Sequence, residues 1–202
     1  MEPIVYIVDD DRAMTDSLRV LIESTGQAVD TFNSAQDFLA AYDPAQPGCI
    51  LIDERMPGMG GHALQQELVR RRALSPVIII TGHAEVESTV DAMRLGAVTL
   101  IQKPFHDQQL LDAIHEALEK DATVRRQSSD RRILESRFEK LTPRQEQVLE
   151  FVISGTPNRT IALKLAISER TVELHRSRLL QTMGVGSTAE LAFAVGRLRS
   201  KD

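Results

Sequence analysis

Short apolar runs alternate with amphipathic helical stretches through the first 120 residues of the chain. The runs favour five strands, at residues 4–8, 28–32, 49–53, 77–81 and 98–101. The first, third and fourth runs are almost continuously apolar, which is typical of strands that helices cover on both faces of a parallel sheet. Gly26 and Gly96 follow helical stretches at residues 13–24 and 84–95 and indicate where those helices stop. We therefore predict an α/β fold with a five-stranded, doubly wound parallel sheet.

The pattern changes beyond this region. Residues 121–137 are polar, contain two arginine pairs and lack glycine and proline. They predict a linker that is either flexible or an extension of the preceding helix. After the linker the signals are helical only, beginning with Thr142 and Gln145 at the spacing of a capping box. We predict two domains, 1–120 and 138–202, of which the second is a smaller, all-α domain of four helices.

Charge is divided unequally between these two domains. Residues 1–120 hold 9 Lys and Arg against 19 Asp and Glu, whereas residues 138–202 hold 10 against 7. An acidic first domain and a mildly basic second domain suit a control domain joined to one that contacts phosphates. The positive surplus of the second domain is small, so it permits nucleic-acid binding without requiring it.

Two further features bear on the compartment. The start of the chain lacks the basic region and apolar run of a signal peptide, and no apolar stretch approaches the roughly 18 residues of a membrane span. We therefore expect a cytoplasmic protein with no membrane partner. The single cysteine, Cys49, excludes an intramolecular disulfide and a cysteine-rich zinc site, and its apolar neighbours favour a small buried hydrophobic residue.

Acidic side chains follow two of the predicted strands. Asp9 and Asp10 come directly after the first strand, and Asp53 ends the third. Open parallel sheets bind ligands at the carboxyl ends of their strands, so these carboxylates are expected to share a pocket. Clustered carboxylates stay ionised together only if a cation enters, and oxygen ligands favour Mg²⁺ or a similar hard ion. Lys103 and Thr81 follow two other strands and supply the positive charge and hydroxyl donor that phosphoryl oxygens require.

Four motifs occur in order through this first domain: IVYIVDDD from Ile4, LIDERMPGMGG from Leu51, TGH from Thr81 and QKPF from Gln102. Together they resemble the receiver domain of two-component response regulators, which has a flavodoxin-like fold. The resemblance implies that a sensor histidine kinase transfers a phosphoryl group to Asp53.

The same resemblance implies a role for each residue of the pocket. Asp53 would be the phosphoacceptor and a metal ligand, together with Asp10 directly, Asp9 through water, and the backbone carbonyl of Arg55. Mg²⁺ would be the cofactor. The phosphoryl oxygens would bind Thr81 and Lys103, and Lys103-Pro104 would be a cis peptide. A metal and a lysine reduce the repulsion that a carboxylate meets when it attacks a phosphoryl group.

Three positions leave alternatives open. Many receivers have Tyr or Phe where this chain has Leu100, so rotation of an aromatic ring cannot carry its switch. His83, like Arg55, lies where receivers modulate the access of water to the phosphoaspartate. It either tunes the lifetime of the signal or is an ordinary solvent-facing loop residue. Asp11 either joins the acidic site or caps the helix that starts near Arg12.

In the second domain, NRTIALKLAISERTVELHRSRLL from Asn158 reads as a helix, a short turn and a second helix. This helix-turn-helix resembles the LuxR-type DNA-binding domain, because LTPR, IA, IS and RTVE-H occur in order at the family's spacing. The whole chain is therefore similar to the NarL/FixJ family.

The second helix of that motif is the expected reader of the DNA major groove. Glu173, Leu174 and Ser177 match positions that face bases in the family, where Glu can accept from cytosine and Leu can pack on a thymine methyl. Other side chains of the motif are expected to contact phosphates, which set register rather than sequence. These are Arg159, Arg170, Thr171, His175, Arg176 and Arg178.

These features predict a transcription regulator, not an enzyme beyond autodephosphorylation. Phosphorylation would favour a homodimer that binds paired half-sites on double-stranded DNA, with RNA polymerase as a further partner. The helix at 84–95 and the strand at 98–101 are the surface that such regulators usually use. One alternative is an orphan regulator that binds DNA without phosphorylation. Another is an aspartyl-nucleophile phosphatase, but haloacid-dehalogenase-type enzymes need a second Asp where this chain has Arg55.

Overall fold

The computed structural model describes residues 1–82 and 86–200. The chain divides into two compact units, Met1–Arg126 and Gln127–Asp202. The division lies inside helix α5 (Asp107–Phe138), so the predicted linker at residues 121–137 is helical throughout. Helix α5 is 32 residues long but polar. No helix in the described part of the chain combines the length and apolar character needed to cross a membrane.

The first unit contains a single parallel sheet in the order β2-β1-β3-β4-β5. This order confirms the predicted five-stranded, doubly wound sheet. Its elements are β1 (Ile4–Val8), α1 (Arg12–Glu23), β2 (Ala28–Phe32), α2 (Ala35–Ala41), β3 (Gly48–Asp53), α3 (Gly61–Arg70), β4 (Val77–Thr81), α4 (Val86–Arg94), β5 (Thr99–Gln102) and the first part of α5.

Both faces of this sheet are covered by helices. Strands β3 and β4 are buried along their whole length, as their continuous apolar runs predict. Alternate residues of β3 point to opposite faces, so Leu51 belongs to one core and Ile52 to the other. Cys49 is fully buried, which confirms its interpretation as a small core residue.

Strand β5 spans Thr99–Gln102 rather than the predicted 98–101, and two other bounds differ from the prediction in an informative way. Strand β3 begins at Gly48, one residue earlier than the apolar run, because the backbone there runs against Ile4. A Cβ at Gly48 would overlap the Ile4 carbonyl oxygen, so only glycine fits. The helix predicted at 84–95 is α4, Val86–Arg94. Its predicted start, Ala84, and His83 lie outside the described residues.

The second unit is helical, as predicted, but α5 also contributes to it. Four helices follow α5: α6 (Pro143–Ile153), α7 (Asn158–Leu165), α8 (Glu169–Met183) and α9 (Thr188–Arg199). Their core is formed by fully buried side chains such as Leu149, Ile161, Val172, Leu179 and Leu191. Phe138, the last residue of α5, packs against this core. The end of α5 is therefore part of the second unit.

Helix caps fix where these helices begin. The capping box between Thr142 and Gln145 is present in both directions, as predicted. Ser187 caps α9 through the backbone N–H of Glu190, at 3.2 Å. The Glu190 carboxylate, however, accepts from the backbone N–H of Gly186, at 2.9 Å. In a full capping box Glu190 would accept from the N–H of Ser187, so here the box is closed one residue earlier in the chain.

Candidate functional site

The acidic pocket lies at the carboxyl end of the sheet, where four adjacent strands stop. Asp9 follows β1, Asp53 ends β3, Thr81 ends β4 and Lys103 follows β5. The strand order places these ends side by side, so residues far apart in sequence meet at one edge. Asp9, Asp53 and Thr81 are buried, whereas Asp10 is exposed at the rim.

Lys103 is the centre of the pocket. Its ammonium donates to Asp53 Oδ1 at 2.6 Å and to Asp9 Oδ2 at 3.1 Å. Carboxylate oxygens of Asp9, Asp10 and Asp53 all lie within 4.8 Å of one another. Three oxygen ligands at this spacing fit a hard divalent cation, because such ions prefer carboxylate oxygens. The pocket could therefore bind a divalent metal.

The pocket brings three carboxylates, Asp9, Asp10 and Asp53, together with the ammonium of Lys103. Burial raises the pKa of Asp9, and the nearby Asp53 carboxylate raises it further, against hydrogen bonds from the Asp11 backbone and Lys103. Burial alone would lower the pKa of Lys103, but hydrogen bonds to Asp53 and Asp9 and their charges outweigh it, so the pKa is raised. One lysine thus serves two carboxylates, and a second cation would relieve the remaining repulsion.

The backbone around Asp53 is tightly packed. The N–H of Arg55 donates to Asp53 Oδ2 at 2.8 Å, so one carboxylate oxygen is held by the backbone and the other by Lys103. Gly61, the first residue of α3, lies directly against this turn, and a Cβ there would be 2.5 Å from the Asp53 carbonyl oxygen. Gly61 was not predicted from the sequence. The only signal was the Gly60-Gly61 pair at the end of the LIDERMPGMGG motif.

Thr81 has a partner that sequence reasoning missed. Its hydroxyl donates to the carboxylate of Glu54, the residue after Asp53. The Thr81 carbonyl accepts from the backbone N–H of Lys103 at 2.7 Å, which ties the ends of β4 and β5 together. The peptide between Lys103 and Pro104 is cis, as predicted.

Two of the open positions are described. Asp11 accepts from the backbone N–H groups of Ala13 and Met14, at 2.9 and 3.3 Å, which confirms that it caps α1. Leu100 is partly buried and packs against the core on one face of the sheet.

The second unit presents a helix-turn-helix formed by α7 and α8. Ala166 ends α7 in a left-handed conformation, with φ of 52°, and Ser168 caps α8 by accepting from the Thr171 backbone at 3.1 Å. Helix α8 keeps Val172, Leu179 and Met183 on its buried face. Its opposite face carries most of the side chains predicted to contact DNA.

These predicted contacts differ in exposure. Leu174 is 48% exposed, so its side chain is accessible to another molecule. The other exposed members of the set are Arg159, Arg170, Glu173, Ser177 and Arg178. Thr171, His175 and Arg176 are only partly exposed.

Arg176 makes contacts within its own unit. Its guanidinium donates to Asn158 Oδ1 at 3.0 Å and to Thr188 Oγ1 at 3.1 Å. Asn158 begins α7 and Thr188 begins α9, so Arg176 links three helices. Sequence reasoning did not predict these two contacts, because partners on other helices leave no local signal.

Comparisons with known proteins agree for both units. Residues 5–115 match the family model described as "Response regulator receiver domain". Residues 139–195 match the one described as "Bacterial regulatory proteins, luxR family". The chain is 42% identical over 187 residues to the transcriptional regulatory protein FixJ of Azorhizobium caulinodans, covering 93% of this chain and 89% of that protein. It is 37% identical over 196 residues to the response regulator protein TodT of Pseudomonas putida, covering 97% and 86%.

Solved structures give the same result. The response regulator StyR is similar with a TM-score of 0.89 at 41% identity, covering 98% of this chain and 100% of that one. Full-length FixJ from B. japonicum is similar with a TM-score of 0.61 at 36% identity, covering 98% of both chains.

Proposed function

The chain belongs to the response regulators that join a receiver domain to a LuxR-family DNA-binding domain, and we propose that phosphorylation of Asp53 controls its binding to DNA. The donor is a sensor histidine kinase, and the target is a specific site on double-stranded DNA. The observation that supports this most strongly is the contact of Lys103 with both Asp53 and Asp9 in a pocket of three carboxylates.

Mg²⁺ is the proposed cofactor of the pocket. Asp10 and Asp53 would hold it directly, Asp9 through water, and Arg55 through its backbone carbonyl. The ion would supply positive charge that reduces repulsion between the incoming phosphoryl group and the acceptor carboxylate.

The protein side chains then have separate tasks in phosphotransfer. An oxygen of Asp53 forms the new bond to phosphorus as the bond to the kinase histidine breaks. Lys103 neutralises charge on the phosphoryl oxygens from the position where it now contacts Asp53. Thr81 donates its hydroxyl to one of those oxygens, which requires it to leave the Glu54 carboxylate. Phosphorylation would therefore exchange the hydrogen bond to Glu54 for one to the phosphoryl group.

Helix α8 is the proposed DNA reader. Its exposed Glu173, Leu174 and Ser177 meet base edges in the major groove. Exposed arginines around them, Arg159, Arg170 and Arg178, bind phosphates together with Thr171 and His175. Arg176 is also a proposed phosphate ligand, and it differs from the others in that its guanidinium already has two partners within the unit.

Phosphorylation is proposed to favour a homodimer, which then binds paired half-sites. Helix α4 supports this through three exposed apolar side chains, Val86, Val90 and Met93, which are 80, 40 and 46% exposed. Their spacing of four and three residues places them on one helical face. RNA polymerase is the proposed partner of the DNA-bound protein.

Phosphotransfer is tested with acetyl phosphate as the donor. Wild-type protein with Mg²⁺ is expected to become labelled, whereas Asp53→Asn is not, because the amide cannot act as the acceptor. Asp16→Asn is the matched control, since Asp16 is an exposed carboxylate on α1 outside the pocket. Equal labelling of wild type and Asp53→Asn would overturn the assignment of the acceptor.

A further inference from the structure

The carboxyl end of the DNA-reading helix is held by a residue of α5. Arg137 Nη1 donates to the backbone carbonyl of Met183, the last residue of α8, at 3.0 Å. The last carbonyls of a helix have no partner within the helix, so each needs another donor. The turn after α8 supplies two of these, from Gly184 to Gln181 and from Val185 to Leu180, both at 3.1 Å.

Gly184 makes this contact possible. It ends α8 in the left-handed conformation, with φ of 64°, which glycine adopts without steric cost. A Cβ at Gly184 would also lie 2.7 Å from Arg137 Cζ, so any side chain would displace the guanidinium. The guanidinium is thus fitted against the backbone at the end of α8. Its positive charge there is also favourable for the helix dipole.

The α5 side of this hydrogen bond is also held in place by packing. Phe138, next to Arg137 in the sequence, packs against the core that contains the fully buried Met183. Arg137 is therefore anchored at the end of α5 by core packing, while its guanidinium reaches the end of α8. The two helices are joined by one charge-assisted hydrogen bond, the stronger class of such bonds.

Arg137 is remote from the proposed base contacts. Ser177, the last of them, precedes Met183 by six residues, which is roughly 9 Å along a helix. Resting on the proposed function of α8, we propose that Arg137 is a positioning residue for DNA binding. It holds the carboxyl end of α8 and so sets the angle at which the exposed face of that helix meets DNA. It does not bind a phosphate itself.

The test uses the full chain and DNA selected from a random pool by the wild-type protein. Affinity is measured by fluorescence anisotropy at several salt concentrations. Arg137→Ala is expected to bind about tenfold more weakly, by analogy with the loss of a charge-assisted hydrogen bond. Its dependence of log Kd on log salt should stay that of wild type, whereas loss of a phosphate contact would reduce the slope by about 0.9. Arg137→Lys keeps a cationic donor and should lose less than about threefold.

Arg132→Ala is the matched control. Arg132 is an exposed arginine of the same helix, so the variant removes the same charge and should bind as wild type does. Circular dichroism checks that each variant is folded. If Arg137→Ala does not fold, the DNA affinity and salt slope of Arg137→Lys are used instead. Affinity of Arg137→Ala within twofold of wild type, a reduced salt slope, or Arg137→Lys as weak as Arg137→Ala would each overturn the proposal. Failure of the wild type to select any DNA would overturn the proposed function, and this inference with it.

Discussion

Ionisation of Asp9 in the pocket lowers the stability of the folded protein. Burial and the Asp53 charge raise its pKa above the ordinary value, so the folded protein holds the proton more tightly than the unfolded chain does. Stability from this group is therefore present at low pH and is lost as pH rises from the unfolded pKa to the raised folded pKa. A metal ion that binds the ionised carboxylates reverses that loss.

The consequence is a pH-dependent effect of Mg²⁺ on stability. The rise in Tm that Mg²⁺ produces should be larger at about pH 7 than at an acidic pH near the raised pKa of Asp9, because protons compete with the ion for Asp9 at the lower pH. Thermal unfolding with and without MgCl₂ at both pH values measures it. In Asp9→Asn the Mg²⁺-induced rise in Tm should differ less between the two pH values. An Mg²⁺ effect in wild type that is the same at both would contradict the proposed ligand set.

Gly61 tests how tightly the Asp53 turn is packed. A Cβ 2.5 Å from the Asp53 carbonyl oxygen forces the turn to move, so Gly61→Ala should destabilise the protein by about 1–3 kcal/mol, the usual cost of overpacking. Urea unfolding gives the value. Gly60→Ala is the neighbouring control, since its Cβ would lie 3.3 Å from the nearest atom, the Glu54 carbonyl oxygen. Equal stability of Gly61→Ala and wild type would show that the turn has room to spare.

Some residues of the pocket could be predicted from the sequence and others could not. Asp9, Asp53 and Lys103 were found because each lies where an apolar run stops, and strand ends in a parallel sheet converge. Glu54 and Gly61 were missed, because their roles depend on which atoms meet across β3, β4 and α3. The apolar pattern predicts the strands but contains no record of such contacts.

At the level of elements, helix α5 is the one whose structure the local sequence determined least. Its polar, glycine-free residues 121–137 permitted either a flexible linker or a helix. The structure shows that this stretch is a helix whose first residues are held by contacts within the first unit. Asp121 is 1% exposed and accepts a hydrogen bond from the Gly48 backbone N–H at 3.0 Å. It also forms an ion pair with Arg125 at 2.8 Å. Arg125 also donates to the backbone carbonyl of Gln46 at 2.7 Å. Gly48 and Gln46 lie 73 and 79 positions before their partners on α5, so no local pattern could reveal those two contacts.

This ion pair makes α5 part of the receiver domain's stability. Removing Arg125 leaves the buried Asp121 carboxylate without its cation, and breaking a buried pair in this way typically costs about 3–5 kcal/mol. Arg125→Ala should therefore lower the free energy of unfolding by about 3 kcal/mol in urea titrations. Arg126→Ala removes an adjacent arginine outside this pair and should change it by less than about 0.5 kcal/mol. Similar losses in both variants would show that the effect comes from overall charge.

At the scale of the whole molecule, the sequence order of motifs predicted both folds and the family. Charge alone could not, since the surplus of 10 basic over 7 acidic residues in 138–202 permits DNA binding without requiring it. The decisive features were the capped, arginine-bearing helix α8 and the acidic strand ends, each of which has a defined geometry. The operator and the stimulus leave no such geometric signature in a single chain.

The central claim is that Asp53 controls DNA binding, and gel shift with and without a phosphoryl donor tests it most directly. Selected DNA is titrated with wild-type protein and with Asp53→Asn, each with and without acetyl phosphate and Mg²⁺. The account predicts that the donor strengthens binding of wild type by at least about tenfold, a coupling of about 1.4 kcal/mol, and leaves Asp53→Asn unchanged. Equal binding of wild type with and without the donor would contradict it and favour an orphan regulator.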